Sequence, residues 1–241
     1  MMIPRPSALI TRLAAAVLLG LSATAPLSSS HAAVLFDSGI LPTDVDNGLG
    51  SDVDFGAAGN ETAGLAVLAA AGTLRSLSWT GLYGPTNVPV ASDSFTLRIY
   101  ADAGGTPAAA PATTLALAVS HVDTGETAFG LNIYEYVANV PDTTLAVGPI
   151  WISLVNDTTA EPTVEWSWGG QDGDVFRSAI RAPVAMNAWS QQTVTMDFTL
   201  YDEPNAGVSE PATAGLLLTA GALIVLQARR RAAQLPHHDH I

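Results

Sequence analysis

Between Thr73 and Tyr201 the chain repeatedly sets β-branched and aromatic residues in short runs, separated by clusters of Gly, Pro, Asn and Asp. Seven runs predict strands: Thr73–Thr80, Ser94–Ala101, Leu115–His121, Leu131–Val140, Ile150–Asn156, Val164–Trp168 and Thr193–Tyr201. Alternation is clearest in Phe95-Thr96-Leu97-Arg98-Ile99-Tyr100, which puts Phe95, Leu97 and Ile99 on a core face and Arg98 on the opposite one. Strong breakers punctuate the runs, among them Asp102-Ala103-Gly104-Gly105-Thr106-Pro107, Gly81–Pro85 and Gly169–Gly173. No amphipathic helix of ten residues lies among them, which disfavours crossover α/β folds. The expectation is an all-β domain over residues 34–204: an antiparallel, jelly-roll-like β-sandwich.

The two ends follow another pattern. Residues 1–33 combine Arg5 and Arg12, the apolar run Leu13–Leu21, and a small-residue site at Ser30-His31-Ala32, with cleavage expected at Ala32 and Ala33. That is the layout of a signal peptide, a helix too short to span a bilayer comfortably and removed by signal peptidase. Residues 205–232 hold Ser209-Glu210-Pro211, then the apolar run Ala214–Leu226, then Arg229-Arg230-Arg231. Proline pushes the residue before it out of the helical region. The apolar stretch, counted from Ala212 to Ala228, is 17 residues, near the lower limit for a transmembrane helix. The three arginines orient it with the domain outside the cytoplasmic membrane. Residues 233–241, with His237, His238 and His240, are expected to be a disordered end.

Charge is divided to match. All nine basic residues are arginine, and only Arg75, Arg98, Arg177 and Arg181 lie in the middle, against 20 acids between Asp37 and Glu203, a net of −16. Such a surface repels phosphate backbones and anionic headgroups, so no nucleic-acid partner is expected. The absence of cysteine excludes disulfides, thiolate metal sites and thiol nucleophiles, and leaves stability to the core.

A Glu-Pro motif, an apolar span and an arginine cluster, in that order at the C-terminus of a chain with a signal peptide, resemble the PEP-CTERM sorting signal of Gram-negative bacteria. Ser209 stands where that family most often has proline. The resemblance implies an exosortase as partner and a route from membrane anchor to cell surface or extracellular matrix. Trp79-Thr80-Gly81-Leu82-Tyr83, Ile99–Asp102 with Gly105-Thr106-Pro107, Ile150–Leu154 and Trp166-Ser167-Trp168 also resemble a recurrent ectodomain of the same family. That likeness implies shared architecture, not an activity.

Candidate chemistry is sparse, and no catalytic residue is assigned. His121, with Asp123 two residues on, is the sole histidine between the processing sites, so a Ser-His-Asp triad must use it or not exist. Glu135, in Tyr134-Glu135-Tyr136, and Glu165, beside Trp166, are the acids a glycoside hydrolase would use, against the ordinary expectation that both point outward from strands. Asp44, Asp46, Asn47, Asp52 and Asp54 gather oxygens in a Gly-containing loop and are the candidate ligands for calcium. The leading expectation is a non-catalytic surface component associated with exopolysaccharide or biofilm. The alternatives are a carbohydrate-binding module stacking sugars on Trp or Tyr, and the Glu135/Glu165 hydrolase.

Overall fold

The computed structural model describes residues 33–54, 59–90, 93–181 and 188–205. Most of the signal segment including Ala32, the sorting motif Ser209-Glu210-Pro211, the apolar run and Arg229–Arg231 lie outside the described residues. Among the described residues no helix is long and apolar enough to cross a membrane.

The described chain is all-β, with a single 3-10 turn at Pro42–Asp44. In chain order its strands are β1 (Val34–Asp37), β2 (Asn47–Gly50), β3 (Glu61–Leu68), β4 (Gly72–Gly84), β5 (Thr96–Ala101), β6 (Thr113–Ala116) and β7 (Ala118–Ala128). There follow β8 (Leu131–Leu145), β9 (Gly148–Val155), β10 (Glu165–Asp172), β11 (Ser178–Arg181), β12 (Ser190–Gln192), β13 (Val194–Met196) and β14 (Phe198–Tyr201). They form two antiparallel sheets of eight and six strands.

In the larger sheet β8 pairs along most of β4, and β7 lies outside β8 as the edge, with a bulge between Asp123 and Thr127. The other side of β4 is shared between β14, backed by β1, and β10, flanked by β2 and β13. The smaller sheet runs β12-β11-β3-β9-β5-β6.

Alternation along each strand decides what lies between the sheets. Leu77, Trp79 and Tyr83 of β4, Tyr134 and Tyr136 of β8 and Trp166 and Trp168 of β10 point inward and meet Leu97, Ile99, Ile152 and Leu154 of the smaller sheet. Trp79 and Tyr136, opposite each other across β4 and β8, stack with centroids 5.4 Å apart, and Phe95 packs edge-on against Trp166 at 5.0 Å. As expected, Phe95, Leu97 and Ile99 share the core face, while Arg98 points to the opposite side.

β3 was not among the expected strands. Its sequence, ETAGLAVL, carries no aromatic residue, and at Gly64 the other sheet leaves no room for a side chain: a Cβ there would come within 2.8 Å of the Phe198 ring and 3.1 Å of Met196 Cβ.

The outer face of the smaller sheet is closed over a buried charge cluster. Glu61, 0% exposed, accepts hydrogen bonds from the Tyr100 hydroxyl (2.6 Å), the Ser153 hydroxyl (2.9 Å), Arg98 Nη1 (2.6 Å) and Arg181 Nε (2.9 Å). The Arg181 guanidinium lies 4.7 Å from the centroid of the Trp189 ring, which helps cover it.

Candidate functional site

The outer face of the larger sheet is built differently. On β4 the residues that alternate with the core are small and polar, Ser76, Ser78 and Thr80. Glu135 of β8 stands directly opposite Thr80. On the other side Trp79 pairs with Phe198, which places Asp197 beside Thr80 too, and Asp37 of β1 pairs with Thr199 of β14. Glu135 and Asp197 thus flank Thr80 from either side, with Asp37 one strand further out and level with Ser78. The segment carrying Ile40, Leu41 and Pro42 passes above them, anchored by a small apolar cluster of Ile40, Val45, Leu82, Ala128 and Ile133.

The result is a cavity of about 180 Å³ lined by Asp37, Ser78, Thr80, Glu135, Asp197, Thr199 and Tyr201 under Ile40–Pro42. It adjoins a more open groove of about 430 Å³ between Leu41–Thr43 and the Val122–Glu126 stretch of β7, with Glu135 lining both. Asp197 is 7% exposed and receives a hydrogen bond from the Ser38 hydroxyl at 3.3 Å. Burial pushes its carboxyl up to about 6; the hydroxyls of Thr80 and Ser38 oppose the shift, while the negative charges of Asp37 and Glu135 add to it. Thr80, 2% exposed, lies close enough to act on Asp197 but makes no hydrogen bond of normal geometry through its hydroxyl. Glu135 is half-buried and accepts no hydrogen bond from any described residue. No basic side chain lines the cavity. A buried carboxyl pushed up to about 6, in a cavity whose lining holds two further acids and no basic side chain, can exchange a proton with a ligand.

Glu165 does not share this site. It pairs with Gly84 on the far side of β4, four residues beyond the Thr80–Glu135 pair. At about 3.3 Å per residue along the strand and about 4.8 Å between strands, the two backbones are roughly 16 Å apart. Hydrolytic carboxyl pairs stand about 5–9.5 Å apart. Glu165 is not among the residues lining the cavity or the groove beside Glu135, and the backbones of the two stand farther apart than the carboxyls of such a pair.

The calcium candidates are also separated, because the stretch expected to be a loop contains a strand. β2 runs antiparallel to β10, with Asn47 opposite Gly170 and Gly50 opposite Ser167. Asp44 is exposed in the 3-10 turn, and Asp46 and Asn47 bind Asp172 at one end, through its backbone N–H (2.8 Å) and its carboxylate respectively. Asp52 and Asp54 lie at the other end. There the Thr158 hydroxyl is within 2.8 Å of Asp52, 3.0 Å of Asp54 and 2.8 Å of the Val164 carbonyl, and the Trp166 N–H donates to Asp52 at 2.9 Å. Six residues of extended chain span about 20 Å, so the five do not converge on one ion. Among the described residues no group of three or more His, Asp or Glu side chains is arranged to hold a metal. Burial pushes Asp52 up to about 6, with the neighbouring Asp54 reinforcing the shift and the Trp166 and Thr158 donors opposing it.

His121 is exposed on β7, its ring against Tyr134 and Tyr136, while Asp123 accepts hydrogen bonds from Gly125 N–H and Asn132 instead. The His121–Asp123 pair needed for a triad is not formed. Trp79, Trp151, Trp166 and Trp168 are at most 1% exposed, and Trp189 is half-buried against Arg181, which leaves little tryptophan surface for sugar stacking.

Of the cavity's acids, only Glu135 stood out in the sequence. Asp37 ends the short strand β1 and Asp197 sits in the one-residue break between β13 and β14, and nothing local distinguishes them; only the pairing of β14 with β4 and β1 brings them in. Comparison with family models, curated proteins and solved structures finds no match.

Proposed function

We propose that this chain is an exported component of a Gram-negative cell surface. Residues 1–33 direct export and are removed by signal peptidase, the apolar tail holds the chain at the membrane, and an exosortase processes it at Ser209-Glu210-Pro211. The ectodomain, read as a jelly-roll-like sandwich, is a non-catalytic structural or binding element of the surface or exopolysaccharide matrix. The observation that carries this reading is the order of Glu210-Pro211, the apolar run and Arg229-Arg230-Arg231 behind a signal segment. The separation of Glu135 from Glu165 and the unformed His121–Asp123 pair support the non-catalytic part. Carbohydrate recognition is a second reading, favoured by the open cleft along Glu135 rather than by tryptophan stacking.

Changing Glu210 and Pro211 together to alanine, in a host that carries an exosortase, is expected to leave the full-length chain in the membrane fraction with its tail intact by mass spectrometry. Normal processing of that double variant would remove the exosortase assignment.

A further inference from the structure

Asn47-Gly48 is the single Asn-Gly step in the chain. At a hairpin turn such a step has a conformational reason, since both residues accept a positive φ. Here it lies inside β2, and neither residue has a positive φ. Packing does not demand the glycine either. A Cβ at Gly48 would meet Leu82 Cδ1 and Ser167 Cβ at 3.4 Å and the Trp168 carbonyl oxygen at 3.5 Å, all ordinary van der Waals contacts.

The pair is arranged for a reaction between its own atoms. The Gly48 N–H donates to Asn47 Oδ1 at 2.7 Å, so the backbone nitrogen sits against the side-chain carbonyl whose carbon it can attack. That nitrogen is not occupied by the sheet. β2 pairs with β10 alone, with Gly50 opposite Ser167 and the Ser51 N–H donating to the Trp166 carbonyl at 3.3 Å. Gly50 and, by alternation, Gly48 are therefore non-hydrogen-bonded positions whose N–H groups point away from β10. Asn47 and Gly48 are both half-buried, which leaves them within reach of water, and the Asn47 amide nitrogen donates to the Asp172 carboxylate.

We propose that Asn47-Gly48 is a self-modification site, at which the folded protein deamidates through a succinimide. The Gly48 nitrogen gives its proton to water or hydroxide and bonds to Asn47 Cγ; the Cγ–Nδ2 bond breaks, and Nδ2 leaves as ammonia with a proton taken from water. Water then opens the ring at one carbonyl or the other. The site becomes aspartate or isoaspartate, with one water consumed and one ammonia released, and no redox step enters. The product alters the corner in which it forms. The amide donor to Asp172 is replaced by a third carboxylate beside Asp46 and Asp172, and isoaspartate adds a methylene to the backbone of β2, which disturbs its register with β10.

Asn156 supplies the contrast. Its Oδ1 also accepts from the next residue, Asp157 N–H, at 2.9 Å. Yet Asn156 is 0% exposed, Ser94 N–H donates to the same oxygen at 3.2 Å, its Nδ2 is held by Asp93 at 3.0 Å, and the residue after it carries a side chain. The same local contact is closed to water there, and Asn156 stays an amide. Nothing in this chemistry depends on export or on processing of the tail.

The test is incubation of the purified full-length chain at 37 °C and pH 8, folded and in urea, followed by peptide mass spectrometry that separates aspartate from isoaspartate. In the folded chain the Asn47 peptide is expected to gain about 1 Da as a mixture of the two products, while the Asn156 peptide keeps its mass. Gly48→Ala, with the fold intact by circular dichroism, is expected to slow the gain about tenfold or more, because the added Cβ restricts the backbone that must turn to close the ring. An Asn47 that stays an amide in the folded chain, with or without deamidation in urea, an equal gain at Asn156 in the folded chain, or an unchanged rate in Gly48→Ala would each overturn the proposal.

Discussion

The two outer faces of this sandwich both carry acids, and they treat them in opposite ways. On the smaller sheet Glu61 is fully buried and meets two arginines, a tyrosine and a serine within 2.6–2.9 Å, under the cover of Trp189. On the larger sheet Glu135 and Asp197 flank Thr80, with Asp37 one strand further out, and no basic side chain lines the cavity they share. Both faces are built from the same alternation along strands. What separates them is the share of arginine: of the four between residues 34 and 204, Arg98 and Arg181 both go to Glu61, and Arg75 binds Asp142 at 3.1 Å away from the cavity.

The contrast can be broken most severely at Glu61. Glu61→Gln leaves Arg98 and the buried Arg181 without their counter-charge, and is expected to cost about 3–5 kcal/mol in denaturant unfolding. Trp189→Ala, which uncovers Arg181 and removes its aromatic partner, is expected to cost about 1–2 kcal/mol in the same measurement. On the opposite face the sign reverses. Asp197 titrates at about 6 rather than near 3.8, so the folded chain binds its proton more tightly than the unfolded one. Its contribution to stability is full below about 3.8 and is lost as pH rises through about 6. Asp197→Asn is therefore expected to raise stability by about 1 kcal/mol at pH 7 and to leave it nearly unchanged at pH 3.5, read from unfolding midpoints at both pH values.

The strands visible in the sequence are those whose side chains face one mixed environment. The run expected at Thr73–Thr80 lies within β4, Ile150–Asn156 largely coincides with β9, and Thr193–Tyr201 contains β13 and β14. β3 escaped because its small residues answer to Phe198 and Met196, more than 130 positions away in the chain. The stretch around Asp46 and Asp52 was misleading for a related reason. Acids and glycines there suggest a loop around an ion, whereas β10 straightens the chain and hands each acid a separate partner. Glu135 stood out between two tyrosines, but its neighbours across the sheet depend on which strand follows β4 in space, and no local pattern records that choice.

β7, the edge of the larger sheet, gains a further meaning from its bulge between Asp123 and Thr127. A long bare edge invites a second copy to add itself as the next strand, and continued addition grows a fibre. Here the kink interrupts the row of backbone donors and acceptors, and Asp123 and Glu126 sit beside it. Two copies approaching along this edge would meet mismatched backbones and like charges, which disfavours adding a strand there.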